Sequence, residues 1–145
     1  MSIYLDYNAS TPIDERVLEA MILAYREHFG NADSRTHMHG TNASAQVEKA
    51  RACVAELLGV VKHDVIFTSG ATESDNMAIQ GLLQHGIDTG RKHIVTTAIE
   101  HKAVMKTIQY LVKCHGFEAD YVAPGENGRV DAAEVLSKVR KDTLL

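Results

Sequence analysis

Hydrophobic positions along this chain recur with two periods, and the alternation between them sets out most of its elements. Val17, Leu18, Met21, Ile22 and Tyr25 fall at helical spacing, with Glu15, Arg16, Glu19 and Arg26 on the other side, which predicts an amphipathic helix. Its start is expected between Thr11 and Asp14, with Thr11 as N-cap, Pro12 in the first turn and Asp14 near the positive dipole end. The helical period returns from about Asn42 to Leu58, with Ala43, Val47, Ala50, Val54, Leu57 and Leu58 as the expected buried face and Gly59 as the stop. A further helix runs through Met77, Ala78, Ile79, Leu82 and Leu83 towards His85 and Gly86, and is apolar on more than one face. Val104, Ile108, Leu111 and Val112 mark another, stopped at His115-Gly116. Asp131, three residues before Glu134, gives a capping-box arrangement for a last helix with Val135, Leu136 and Val139 inside.

Between these helices lie short apolar runs with the composition of strands: residues 3–5, the first half of 64–76, 93–97, 117–122 and an onset at 143–145. Strand and helix alternate from residue 64 onward, which argues for an α/β fold with a mainly parallel sheet and flanking helices. In such sheets ligands gather beyond the carboxyl ends of the strands, so residues 69–72 and 98–101 are expected to face one pocket. A strand onset at the last residues would leave unpaired backbone groups, so more sheet is expected to follow. The chain therefore reads as the front part of a larger enzyme: an N-terminal arm over 1–15, then the front part of a large domain over 16–145, incomplete at the C-terminus.

Composition changes this picture little. The 145 residues are 45% hydrophobic and 23% charged with a formal net charge of −4, without the basic bias of a direct nucleic-acid binder. No apolar stretch approaches the length of a membrane-spanning helix and the first residues lack signal-peptide character, so the expectation is a cytoplasmic protein with no membrane partner. Cys53 and Cys114 lie far apart in helical stretches, and Cys53, beside apolar positions, is expected to be a reduced, partly buried thiol. His37 and His39 stand one residue apart in an aperiodic polar loop; the sequence marks no further ligands, and no metal is expected.

Candidate chemistry concentrates at residues 64–76. After the apolar run come Ser69, Gly70, Ala71 and Thr72 and a helix start: small residues that allow close approach to the backbone, a hydroxyl, and free N–H groups of the first turn. A hydroxyl at such a place also serves simply as a helix cap. If a ligand sits there, a phosphate is the obvious guest. Neither the nucleotide P-loop nor the three-glycine dinucleotide fingerprint is matched, which leaves a small phosphorylated cofactor.

Five segments, in order and at similar spacing, resemble the cysteine desulfurases of the class V aminotransferase group: 4–12 (YLDYNASTP), 29–31 (FGN), 67–74 (FTSGATES), 100–104 (EHKAV) and 126–131 (ENGRVD). The resemblance runs from about Ile3 to Leu145. It implies the large domain of a fold-type I pyridoxal 5′-phosphate enzyme, one that takes sulfur from L-cysteine, leaves L-alanine and passes persulfide sulfur to a protein acceptor. Iron–sulfur assembly, tRNA thiolation and DNA phosphorothioation are the acceptor systems it leaves open. The resemblance further implies that Gly70, Ala71 and Thr72 bind the cofactor phosphate, that His101 stacks on the pyridine ring and assists proton transfer, that Asn8, Ala9 and Asn31 border the substrate side, and that the protein is a homodimer. The family's Schiff-base lysine and persulfide-forming cysteine belong to later segments, and Lys102, directly after His101, does not match that lysine. The chain by itself is accordingly expected to be inactive. Two other readings remain: a non-catalytic fragment or subunit with an interaction role, and another class V transferase or selenocysteine lyase.

Overall fold

The computed structural model describes residues 3–145, which form two compact units, 3–66 and 67–145.

The first unit is helical. Helix α1 spans Glu15–Glu27 and is capped by Asp14, whose carboxylate accepts the Arg16 N–H at 2.9 Å. The cap is thus Asp14 and not Thr11, because the carboxylate also holds the Arg16 guanidinium at 2.9 and 3.0 Å and so fixes the start one turn later than Pro12 suggests. Residues 3–5 form no strand; they are exposed and have no ladder partner. The apolar stripe of α1 is present but none of its residues is buried, since a stripe becomes core only where another element lies on it.

Helix α2 spans Met38–Leu58, four residues longer at its start than the periodicity predicts, and ends at Gly59 in the left-handed conformation with φ 68°. The extra turn comes from His37, whose Nδ1 accepts the Gly40 N–H at 3.1 Å and so acts as the cap. Gly40, Ala43 and Ala55 are its buried residues, whereas Val47, Ala50, Leu57 and Leu58 from the expected face are exposed, Leu57 by 85%. Cys53 and Cys114 are both exposed, which corrects the reading of Cys53 as partly buried. After α2, a short 3-10 turn at Lys62–Asp64 leads into Val65, which is extended and buried and accepts a hydrogen bond from Arg51. The strand expected after residue 64 does not form. The chain there is extended, but among the described residues it joins no ladder that would make it a strand.

The second unit holds the sheet. Helix α3 (Ala71–Gly81) breaks at Leu82 and restarts as α4 (Leu83–Thr89), so His85 and Gly86 lie inside a helix that stops at Gly90, φ 70°. Strand β1 (His93–Thr97) then enters helix α5 (Lys102–His115), which ends at Gly116 and returns as strand β2 (Glu118–Val122). The two strands pair in parallel from His93↔Glu118 to Thr97↔Val122. On the other side of β1, residues 143–145 begin a further parallel pairing: Leu144 N–H donates to the His93 carbonyl at 2.7 Å, and Val95 N–H to the Leu145 carbonyl at 2.9 Å. The core lies between this sheet and the helices, built from Ile79, Ile94, Ile108, Leu111 and Phe117, with Leu83, Val104, Ala119 and Leu144 against it. Helix α6 (Ala132–Ser137) is capped by Asp131 onto Ala133 N–H at 2.9 Å, one residue short of the bond a capping box makes. Its Leu136, like Val139 just beyond, is exposed rather than inside.

Candidate functional site

The turn that leads into α3 is braced from within. Glu73 accepts both the N–H and the hydroxyl of Ser69, at 2.6 and 2.7 Å, while the Thr68 and Ser74 hydroxyls lie 2.7 Å apart and each donates to the Gly70 carbonyl. Ser69 is thereby occupied and leaves the helix start alone. Gly70, the N-cap, offers no side chain, so the N–H groups of Ala71, Thr72 and Glu73 have no acceptor among the described residues. A Cβ at Gly70 would meet nothing within 4 Å, so the space over these donors is open. Free N–H groups at the positive end of an eleven-residue helix suit an anion.

The Ser69 donors hold the Glu73 carboxyl below the usual carboxylate range, the hydroxyl contributing most. A depressed folded-state pKa stabilises the turn at pH above the unfolded value, and the contribution is lost as pH falls through the folded one. Acidification below the ordinary glutamate range is therefore expected to loosen this turn. An NMR titration of Glu73 should show a midpoint below that of glutamate in an unstructured peptide, and Ser69→Ala should move it back up; an unchanged midpoint in that variant would place the cause elsewhere.

His101 caps α5, its Nδ1 accepting the Ala103 N–H at 3.2 Å. That bond selects the neutral tautomer with its proton on Nε2, because a nitrogen that accepts carries no hydrogen. A second proton on Nδ1 would break the cap. The imidazole therefore offers a flat ring and one donor.

Thr72 and His101 line one cavity of about 560 Å³, together with Asn76, Gln80, Lys102, Ala103, Lys106, Thr107 and Tyr110. Two sequence-predicted residues thus meet across 29 positions of chain. Gly70 and Ala71 belong to the turn beside Thr72. Asn8, Ala9 and Asn31 stand in the first unit, Asn8 and Ala9 in an exposed turn and Asn31 with its side-chain oxygen accepting the Asp33 N–H at 3.0 Å. Sequence reasoning gave no role to Asn76 and Thr107, since each sits inside a helical pattern without a motif. The available signal was a polar residue at 107 in the apolar row Val104, Ile108 and Leu111. No cluster of three His, Cys, Asp or Glu that could hold a metal occurs among the described residues, and none of their helices is long and apolar enough to cross a membrane.

The aminotransferase class-V family model matches residues 3–145. The chain belongs to the class V aminotransferase family. Among curated relatives of this class V chain, the cysteine desulfurase IscS of Stutzerimonas stutzeri (strain A1501) is 49% identical over 147 residues, covering 100% of this chain and 36% of the relative. That of Azotobacter vinelandii is 46% identical with the same coverage. The chain thus spans about a third of the length of these relatives. Of solved structures, one described as a NifS-like protein superposes with a TM-score of 0.84 at 43% identity, covering 99% of this chain and 38% of that one. DndA from Streptomyces lividans gives 0.82 at 44% identity over 98% of this chain and 39% of its own. SspA in complex with cysteine gives 0.83 at 34%, over 98% and 40%.

Proposed function

We propose that this chain, residues 1–15 as an arm and 16–145 as the front part of a large domain, forms the cofactor-phosphate portion of a pyridoxal 5′-phosphate-dependent cysteine desulfurase. The observation that carries the reading is the cavity shared by Thr72, at an uncapped helix start, and His101, at the start of the next. A phosphate dianion suits the free donors of Ala71 and Thr72, and the flat imidazole suits a planar ring as its neighbour in the cavity. When bound, pyridoxal phosphate supplies an electron sink for bonds to an amino acid's α-carbon.

The chain's own residues then divide the work. The amides of Ala71 and Thr72 and the Thr72 hydroxyl hold the anion, and the helix dipole adds up to about 2 kcal/mol where partly buried. His101 fixes the ring plane and presents the Nε2 proton to whatever lies against it. The relatives' printed names, cysteine desulfurase and a complex with cysteine, support L-cysteine as the substrate of the whole protein. With it go L-alanine as product, a protein sulfur acceptor, and a cytoplasmic homodimer.

Pyridoxamine 5′-phosphate is fluorescent and carries no aldehyde, so it tests these residues without covalent attachment. The chain is expected to bind it, and Thr72→Ala to weaken binding about tenfold or more, since a hydrogen bond to a charged group contributes about 1.5–3 kcal/mol. His101→Ala should weaken pyridoxamine phosphate but leave inorganic phosphate unaffected. A polypeptide of the relatives' full length should be coloured by its cofactor and release alanine from L-cysteine. If such a protein stays colourless with pyridoxal phosphate added, the reading fails.

A further inference from the structure

Helices α3 and α5 are joined by one side-chain hydrogen bond among the described residues: the Thr107 hydroxyl donates to Asn76 Oδ1 at 2.8 Å. Both residues line the cavity that Thr72 and His101 share, and Thr107 is 4% exposed. The Asn76 amide is fixed at its other end, where Nδ2 donates to the Thr72 carbonyl at 2.7 Å; that bond also settles which side-chain atom is the oxygen. Gln80 Nε2 donates to the same Oδ1 at 3.1 Å. The Thr107 hydroxyl shares its hydrogen with the Ala103 carbonyl at 2.7 Å, and the Ala103 N–H is the group that His101 caps.

These contacts form a continuous path: Thr72 carbonyl, Asn76 amide, Thr107 hydroxyl, the Ala103 peptide groups, His101 imidazole. Asparagine and threonine on helices often bond to the carbonyl four residues back, and each does so here for ordinary local reasons. What local habit does not explain is that the two meet between the helices, in a position where an unmatched polar atom would be costly. We infer that Asn76 and Thr107 are positioning residues that set the distance between the phosphate-holding start of α3 and the imidazole at the start of α5. The inference rests on the proposed cofactor reading and adds to it the pair that holds its two ends in register.

The test uses two probes on the 145-residue chain. Pyridoxamine 5′-phosphate needs both ends of the cavity, whereas inorganic phosphate needs only the Thr72 end. Thr107→Val keeps the shape of the side chain and removes the hydroxyl. It is expected to weaken pyridoxamine phosphate binding about fivefold to tenfold and to leave phosphate binding within about twofold, and Thr107→Ser should restore the lost affinity. Asn76→Ala removes the other half of the bridge and carries the same expectation, so the test survives if one variant does not fold. The double variant should be no worse than the weaker single one, as expected for two halves of one interaction. Equal changes for both probes, or none, in Thr107→Val and Asn76→Ala would overturn the positioning role while leaving the cofactor reading intact. Failure of the unsubstituted chain to bind pyridoxamine phosphate would overturn both.

Discussion

Leu111→Ala is expected to lower the stability of the second unit by about 2–5 kcal/mol, the range for deleting most of a fully buried leucine side chain. Leu111 is 0% exposed and sits in the cluster with Ile79, Ile94, Ile108 and Phe117, where sheet and helices meet. The loss has two parts. The removed methyl and methylene groups forfeit their transfer from water, and the space they leave fills only as far as neighbours can move. Those neighbours belong to α3, β1, α5 and the residue that opens onto β2, each anchored in its own element, so collapse should be small and the cost should fall in the upper part of the range. Urea denaturation followed by far-ultraviolet circular dichroism measures it. Leu111→Met, which conserves volume, should cost less than about 1.5 kcal/mol in the same experiment. A loss under 1 kcal/mol for the alanine variant would mean that the core is not centred there.

Glycine-to-alanine substitution at two helical positions should produce opposite signs. At Gly81 in α3 an added Cβ meets nothing within 4 Å, so the variant should gain up to about 1 kcal/mol from the lower flexibility of alanine in the unfolded chain. At Gly40 in α2 the same Cβ would stand 2.1 Å from the Ser34 carbonyl oxygen and 2.8 Å from Ser34 Cβ. The obstructing atom is backbone and cannot swing aside. Relief requires moving the 34–40 turn, and with it the His37 cap, since Gly40 N–H is the group that imidazole accepts. Overpacking of this kind costs about 1–3 kcal/mol, and loss of the cap adds about 1. Hydrogen exchange should show the effect as faster exchange in the first turns of α2, with the Gly59 end less affected. Stabilisation by Gly40→Ala would contradict the close approach.

The two outcomes show why the fold was only partly legible in the sequence. Gly81 lies within a helical pattern and Gly40 just before one, and neither position tells from sequence what an added side chain would meet; the difference lies in how the backbone beside each one folds. The same holds for the apolar stripes. Those of α1 and α5 are equally periodic, yet α1 has no buried residue and α5 buries Ala103, Thr107, Ile108 and Leu111. Periodicity reports a capacity to be covered, and only another element can cover it.

Local chemistry decided a definite set of features. The bounds of β1, the glycine stops at Gly59 and Gly116, the Asp131 cap and the start of α3 in the small-residue turn all follow from dihedral preference, hydrogen-bonding groups and short-range spacing, and each is found where the sequence puts it, although the hydroxyl cap that the sequence also allowed at α3 does not form. Tertiary structure decided the rest. It kept the apolar run after residue 64 out of any strand among the described residues, and brought Thr72, Asn76, Thr107 and His101 around one cavity. A strand needs a neighbour and a cavity needs two walls, so neither can be encoded in one stretch of chain, whereas a turn or a cap closes within a few residues.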